Sequence, residues 1–234
     1  MNKISHSRWV GRIMGTFKKD LFTQFAQVAK AVANANRLEI LEFLAQGEYS
    51  VEDLSKVMGL TVANTSHHLQ QLRHGGLVTT RKEAQRVYYR ITGDDVIDLM
   101  GNLRGVAERH LNEVDHLVNT FLTSKDSMEP VAREELLRRV KEGSTMVLDV
   151  RPPAEYAAGH LPGAVNIPLA ELKKNLAVLD LTQDVVAYCR GPYCILAFEA
   201  VKLLRDKGFQ VRRLQDGYPE WKNAGLPVEI RNEH

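Results

Sequence analysis

Two cysteines in one short loop are the residues of this chain best suited to covalent chemistry. Cys189 follows the apolar run 185–188, which is typical of a buried strand, and Cys194 precedes an amphipathic run that predicts a helix over 195–207. A thiol before a helix meets unpaired N–H groups and the positive end of the helix dipole. These groups and the neighbouring Arg190 favour the thiolate. We interpret Cys189 as the reactive sulfur; the alternative is an apolar filler at a strand end.

Cys194 supplies a second thiol within the same loop. It can resolve a persulfide or sulfenate on Cys189 into a disulfide or polysulfide bridge, or it can be an inert cysteine at a helix start. Ile195 stands where phosphatases and arsenate reductases of the Cys-x5-Arg kind carry arginine, which excludes that chemistry. After the strand predicted over 146–150, we expect Asp149 and Arg151 to form an ion pair that braces the loop.

Length and composition set the frame for these sites. A chain of 234 residues predicts two domains. A net charge of +2 is too small to mark the whole chain as a nucleic-acid binder, so such a function needs a local basic patch. Two cysteines, no apparent leader and no long apolar run favour a cytoplasmic protein without a membrane segment.

The first half is predicted to be rich in α-helix. Residues 1–19 are interpreted as a frayed arm or short helix, and periodicity predicts a core-facing helix over 21–33. Further helices are predicted over 37–44, 51–57 and 62–74, and alternating residues from 77 to 92 predict a hairpin. Two short helices joined by a glycine turn and followed by a hairpin are the pattern of a winged helix-turn-helix.

The helix predicted over 62–74 is rich in groups that read base edges in a major groove. Val62, Leu69 and Leu72 supply its core stripe. Residues 61–90 hold five Lys or Arg against one acid, which suits phosphate contacts. The alternative is a solvated polar helix and hairpin. The predicted DNA-binding residues are Thr61, Asn64, Thr65, Ser66, His67, His68, Gln70, Gln71, Arg73, Lys82 and Arg86.

Residues 94–122 continue with apolar residues at helical spacing, and we expect one long helix that carries a dimer contact. His110, Glu113 and His116 would share one face of it. A metal site using His110 and His116 is one alternative, and a solvated helix face is the interpretation we prefer. No cofactor is expected.

Segments of the first half together resemble the ArsR-type winged-helix repressors over roughly residues 20–120. They are Asn36-Arg-Leu-Glu-Ile-Leu41, Asp53-Leu-Ser55, the run from Asn64 to Val78, and Arg86-Val-Tyr-Tyr-Arg90. The resemblance implies a homodimer that binds an imperfect palindrome and leaves it when an inducer arrives. Members that sense soft metals carry Cys-x-Cys where this chain reads 48–53 without a thiol, so that metal site is missing.

The second half alternates strand and helix after a polar linker over 123–130, which implies a parallel sheet covered on both faces. Leu148-Asp-Val-Arg151, the run from Glu155 to Ala164, Cys189 and Asp216-Gly-Tyr-Pro-Glu-Trp221 resemble a rhodanese domain. The resemblance implies that Cys189 accepts a sulfane sulfur as a persulfide. Catalytic rhodaneses often carry arginine where Cys194 stands, so rapid thiosulfate turnover is not expected. His160 is expected to make a structural hydrogen bond.

The sequence thus predicts a multidomain chain: an N-terminal, mostly helical winged helix-turn-helix and a C-terminal α/β rhodanese-like parallel sheet. The predicted boundaries are 1–19, 20–122, 123–130 and 131–234. Our hypothesis is a dimeric transcriptional repressor that binds double-stranded DNA. Its rhodanese domain senses or carries sulfur from small donors, and the residues that take part are Cys189, Arg190, Cys194, Asp149 and Arg151. The alternatives are a sulfurtransferase of low turnover with an autoregulatory DNA-binding domain, and a metal-responsive repressor.

Overall fold

The computed structural model describes residues 4–123, 125–126 and 128–230, with side chains from residue 16 onward. The chain forms two compact units. The first comprises residues 1–41 and 48–93, and the second comprises 42–47 and 94–234. Within the described ranges, no helix has the length and apolar character needed to cross a bilayer.

The first unit is a small helical domain with an antiparallel sheet in the order β1-β3-β2. Its core contains Leu54, Leu69 and Leu72, all fully buried. Ser50 and Thr61 each accept a hydrogen bond from the backbone N–H three residues later, and so begin the third and fourth helices. The elements are α1 (Ile4–Val32), α2 (Ala35–Leu44), β1 (Tyr49–Ser50), α3 (Val51–Met58), α4 (Val62–His74), β2 (Val78–Glu83) and β3 (Arg86–Ile91). The last three residues of α2 belong to the second unit.

Helix α1 differs from the prediction in two ways. It runs without a break from Ile4, so described residues of the predicted arm are helical. The interpretation of 21–33 as core-facing is wrong for most of its length, because Phe22 and Phe25 are each 56 % exposed while only Ala31 and Val32, at its end, are buried. A helix of 29 residues extends about 44 Å, further than a small core can cover.

The second unit contains a parallel sheet in the order β5-β4-β6-β7. One face is covered by a cluster that includes Val201 and Leu204, and the other by a cluster that includes Leu136 and Trp221. The predicted parallel sheet with two covered faces is confirmed. The elements are α5 (Asp95–His110), α6 (Asn112–Val118), α7 (Arg133–Lys141), β4 (Thr145–Asp149), α8 (Pro153–Ala158), β5 (Val165–Asn166), α9 (Leu169–Leu172), β6 (Asp184–Tyr188), α10 (Ile195–Arg205), β7 (Val211–Arg213) and α11 (Tyr218–Asn223).

The single helix predicted over 94–122 is wrong, because the chain is extended at Leu111 (φ −115°, ψ 102°) and α6 begins after it. The last turn of α5 is basic and the first turn of α6 is acidic. Basic residues stabilise the carboxyl end of a helix and acidic residues stabilise the amino end, so these charges favour two separate helices. His110 and His116 therefore lie on different helices. Within the described ranges, no three potential ligand side chains are grouped in a way that could hold a metal ion.

The predicted linker is anchored to the second unit at Asp126. The side chain of Asp126 is 1 % exposed, and its Oδ1 lies 2.8 Å from Nη1 of Arg205 on α10. Its Oδ2 lies 3.7 Å from Nε of Arg213 on β7. A buried carboxylate needs such cationic partners. Asp126 therefore packs on the sheet unit, although the composition of 123–130 is that of a solvated connection.

Candidate functional site

The cysteine loop lies at the carboxyl ends of β4 and β6, the two central strands of the parallel sheet. Strand β4 pairs with β5 on one side and with β6 on the other, so the strand order reverses between β4 and β6. Ligands of open parallel sheets bind outside the carboxyl ends of the strands at such a reversal. Asp149 ends β4 and Tyr188 ends β6, immediately before Cys189.

Cys189 and Cys194 are joined by a disulfide bond, with 6.1 Å between their Cα atoms. Cys189 is 1 % exposed and Cys194 is 9 % exposed. Cys194 precedes the first turn of α10, as the sequence predicts, and its backbone N–H donates to the carbonyl of Gly191 at 3.1 Å. The bond closes the segment 189–194 into a ring, so the two predicted thiols are within reach of one another.

Arg190 is held by Glu155 of α8. Its Nε lies 3.0 Å from both carboxylate oxygens of Glu155, and its Nη2 lies 2.6 Å from Oε1. The guanidinium also lies 4.5 Å from the ring centre of Phe43. Glu155 is 3 % exposed, so the pair is poorly screened by water. The positive charge predicted to act on Cys189 is therefore shared with a buried carboxylate.

Asp149 and Arg151 form the predicted ion pair, and both side chains are fully buried. Nη2 of Arg151 lies 2.6 Å from Oδ2 of Asp149 and also donates to the carbonyl of Gly159. Nη1 donates to Oε1 of Gln46 at 3.1 Å, and Nε2 of Gln46 donates to the carbonyl of Arg190 at 3.3 Å. Every part of the guanidinium is engaged, so Arg151 braces the loop and is not open to a ligand.

Tyr188 extends this buried network. Its hydroxyl donates to Oδ2 of Asp149 at 2.5 Å and accepts from the backbone N–H of Leu161 at 3.1 Å. Burial, with the negative charge of Asp149, raises the pKa of Tyr188 well above its ordinary value. The phenol stays protonated and fixes the end of β6 to the end of β4.

The chain after β7 packs against the cysteine loop. The N–H of Tyr218 donates to the carbonyl of Cys189 at 3.1 Å. A Cβ on Gly217 would lie 2.3 Å from the carbonyl carbon of Arg190, so only glycine fits there. The Nδ1–H of His160 donates to the carbonyl of Tyr156 at 2.9 Å, and the imidazole stacks on the Tyr156 ring. This is the structural role expected for His160.

Helix α4 in the first unit presents part of the predicted DNA-reading set. Leu69 and Leu72 lie in the core as predicted, whereas Val62 is 48 % exposed and does not. Thr65 is fully buried and His68 is 7 % exposed, so neither side chain lies where a base contact could form. The predicted residues of this helix region on the outside are Thr61, Asn64, His67, Gln70, Gln71 and Arg73, with Ser66 half-buried.

The hairpin β2–β3 carries the predicted basic tip. Lys82 and Arg86 are both exposed on it. Arg81 is instead paired with Glu48 and Glu83, which leaves less of its charge for phosphates. A basic hairpin tip and an exposed polar helix together can contact a duplex backbone and a groove.

Three residues of the cysteine site were not predicted: Glu155, Gln46 and Tyr193. Glu155 lies in the rhodanese-like motif, but nothing in the local sequence shows that its carboxylate reaches Arg190. Gln46 is distant in sequence from the loop, so no spacing could identify it. Tyr193 lies between the two cysteines, and only its contact with α5, described below, gives it a role.

Shorter relatives match one half of the chain each. A protein named "Sulfurtransferase" from Allochromatium vinosum is 31 % identical over 97 residues, 41 % of this chain and 89 % of that protein. The homodimeric winged helix-turn-helix DNA-binding domain of a possible ArsR-family regulator from Mycobacterium bovis, solved by NMR, is 47 % identical, with TM-score 0.38 and coverage of 40 % of this chain and 87 % of that one.

Family models match both halves of the chain, and one relative matches nearly its whole length. Residues 34–80 match the family model "Bacterial regulatory protein, arsR family", and residues 132–224 match "Rhodanese-like domain". The chain is 48 % identical to "HTH-type transcriptional regulator Rv0324" of Mycobacterium tuberculosis over 212 residues, 91 % of this chain and 93 % of that protein. This chain therefore belongs to the ArsR-family helix-turn-helix transcriptional regulators, with a rhodanese-like domain in its second half.

Proposed function

We propose that this regulator is a cytoplasmic, homodimeric repressor whose binding to double-stranded operator DNA depends on reactive sulfur at Cys189 and Cys194. The observation that carries the proposal is the disulfide between these two cysteines in the loop after β6. These are the two cysteines of the chain, and both lie in its rhodanese-like domain. The resemblance to rhodanese domains implies that Cys189 accepts sulfur, and Cys194 is bonded to it.

The sulfur chemistry uses a hydropersulfide donor, R–S–SH. The thiolate of Cys189 attacks the terminal sulfur, the donor's S–S bond breaks, and R–S⁻ leaves and takes up a proton. Cys189 then carries –S–SH. The thiolate of Cys194 attacks Sγ of Cys189, the bond to the outer sulfur breaks, and hydrosulfide leaves. The two thiols have lost two electrons to the donor's sulfur, which departs reduced.

The dimer is supported by the exposed apolar side chains of helix α1. Leu21, Phe22 and Phe25 are 39 %, 56 % and 56 % exposed in the single chain. Exposed aromatic residues at helical spacing are expected to be covered by a partner, and a second copy of the chain would cover them symmetrically. Leu103 and Val106 on α5, in the second unit, are also exposed, and we assign them to the dimer as well.

The experiment compares DNA affinity in the two states. A duplex recovered by the wild-type protein from a random-sequence pool serves as the probe, and fluorescence anisotropy measures Kd for reduced protein and for protein treated with a hydropersulfide. We expect the two Kd values to differ by about fivefold or more. Cys189→Ser should bind the duplex equally under both conditions. Equal Kd values for the wild type would contradict sulfur sensing while leaving DNA binding intact.

The second candidate function is sulfur transfer to an acceptor, with the DNA-binding domain serving autoregulation. It is favoured by the match to the protein named "Sulfurtransferase". The engagement of Arg190 by Glu155 argues against thiosulfate as donor, because a dianion requires an available cation. Continuous release of thiocyanate from thiosulfate and cyanide, lost in Cys189→Ser, would support this candidate. A single turnover per protein chain would favour the sensor.

A further inference from the structure

Tyr193 connects the cysteine loop to helix α5. It lies inside the disulfide-closed ring 189–194, and its hydroxyl lies 2.6 Å from Oε1 of Glu108, near the carboxyl end of α5. Partial burial and this hydrogen bond raise the pKa of Tyr193 to about 12. The phenol is therefore a protonated donor at physiological pH, and Glu108 is its acceptor.

A second set of contacts joins α5 to α11, which follows Gly217 and packs against the cysteine loop. Arg104, one turn before Glu108, lies 3.1 Å from Oε1 of Glu220 on α11 and 3.8 Å from Oε1 of Glu108. Oε2 of Glu220 accepts the N–H of Gly217 at 3.1 Å, and Gly217 lies against the backbone of Arg190. One helix thus contacts the loop directly at Tyr193 and indirectly, through Glu220, at Arg190.

Helix α5 also carries exposed apolar residues beside the polar pair Arg104 and Glu108. Leu103 is 41 % exposed and Val106 is 50 % exposed. Arg104 and Glu108, spaced four apart, share one side of the helix, and Leu103 and Val106, spaced three apart, share a neighbouring side. A shift of α5 driven from the loop would therefore also move the surface that we assign to the dimer.

We propose that the Tyr193–Glu108 hydrogen bond carries the redox state of the Cys189–Cys194 pair to helix α5 and so to the DNA-binding dimer. The disulfide confines Gly191, Pro192 and Tyr193 to a small ring and holds the phenol at Glu108. When the bond is opened, or when Cys189 carries an outer sulfur atom, the ring is released and Tyr193 is free to leave Glu108. This inference rests on the proposed function and names its route of regulation.

The test is the conservative variant Tyr193→Phe, which removes only the hydroxyl. The ratio of Kd values for the selected duplex, reduced against hydropersulfide-treated, is measured alongside intact-protein mass. We expect Tyr193→Phe to gain and lose sulfur as the wild type does, while its Kd ratio falls to near unity. Glu108→Ala, which removes the acceptor, should give the same result and covers the case in which Tyr193→Phe folds poorly.

Asn223→Ala is the matched control. Asn223 on α11 donates to Oδ1 of Asp98 on α5 at 2.6 Å, so this contact holds the same helix but does not involve the cysteine loop. The control should keep the wild-type ratio. A wild-type ratio in both Tyr193→Phe and Glu108→Ala would overturn this inference and leave the proposed function standing. A ratio of unity in the wild type itself would overturn both.

Discussion

Glu155 Oε1 lies 2.6 Å from Nη2 of Arg190, and this pair determines the charge at the cysteine loop. Arg190 is the residue after Cys189, and its guanidinium would otherwise be the obvious receptor for an anionic sulfur donor. Glu155 already pairs with that guanidinium. The loop is therefore suited to donors that do not depend on a dianion site, which agrees with the preference for hydropersulfides proposed above.

Glu155→Gln should increase the reactivity of Cys189 with thiosulfate. The amide still accepts a hydrogen bond from Arg190 but no longer neutralises it, so the guanidinium becomes available to the thiosulfate dianion. The rate of persulfide formation in reduced protein, followed by intact mass, measures the change. Loss of the buried charged hydrogen bonds should also lower the free energy of unfolding by about 1–3 kcal/mol. A thiosulfate rate equal to that of the wild type would contradict this account of specificity.

Gly217→Ala should destabilise the second unit and loosen the cysteine loop. The added methyl group would lie 2.3 Å from backbone atoms of Arg190, which cannot move as a side-chain tip can. Overpacking of this kind costs about 1–3 kcal/mol, measurable as a lower urea midpoint. Gly101→Ala is the control, because its Cβ would meet only the tip of Arg104 at 3.9 Å and alanine favours helix. Equal midpoints for Gly217→Ala and the wild type would show that the loop is not closely packed there.

Arg86→Ala should reduce the salt dependence of DNA affinity. Arg86 is exposed at the start of β3, in the basic hairpin tip. The slope of log K against log salt concentration is negative, and loss of one phosphate contact reduces its magnitude by about 0.9. Lys173→Ala, which removes an exposed charge from the second unit, should leave the slope unchanged. An unaltered slope in Arg86→Ala would remove this residue from the proposed DNA contact surface.

His68 should make the first unit less stable in acid. Burial and the charge of Arg37 lower the pKa of His68 below its ordinary 6.5, and Nε2 of the ring lies 3.4 Å from the amide of Asn36. A base whose pKa is lowered by folding contributes stability above pH 6.5 that is lost as the pH falls through the folded pKa. Each tenfold loss of proton affinity on folding corresponds to about 1.4 kcal/mol of this stability.

Urea unfolding at neutral and acidic pH measures this loss. His68→Gln cannot titrate, so its midpoint should depend less on pH than that of the wild type. His67→Gln is the matched control, because His67 is the adjacent residue and is exposed. If His67→Gln and His68→Gln change the pH profile equally, the burial of His68 is not the cause.

Phe25→Glu should convert the proposed dimer to a monomer. The substitution introduces a charge into the exposed apolar side of α1, where desolvation of a carboxylate opposes association. Sedimentation velocity gives the mass in solution. Val178→Glu places the same charge at a residue that is 54 % exposed in the second unit and should not alter the mass. A Phe25→Glu protein that remains dimeric would place the interface elsewhere.

The sequence by itself determined the order of the elements and the position of the two cysteines, because helical and strand periodicity, capping residues and loop spacing are local properties. Ser50, Thr61 and Cys194 begin their helices as their neighbours in sequence dictate. The parallel sheet follows from the alternation of strand and helix, since such connections lead to parallel pairing.

Only the tertiary structure decided which polar groups are available. The exposed side of α1 and the burial of Thr65 and His68 depend on which surfaces of the chain meet, and no local pattern records that. The same holds for Arg190, whose charge is compensated by a carboxylate 35 residues away in sequence. Ion pairing between distant residues is a product of folding, so the charge at the cysteine loop could not be obtained from the loop's own sequence.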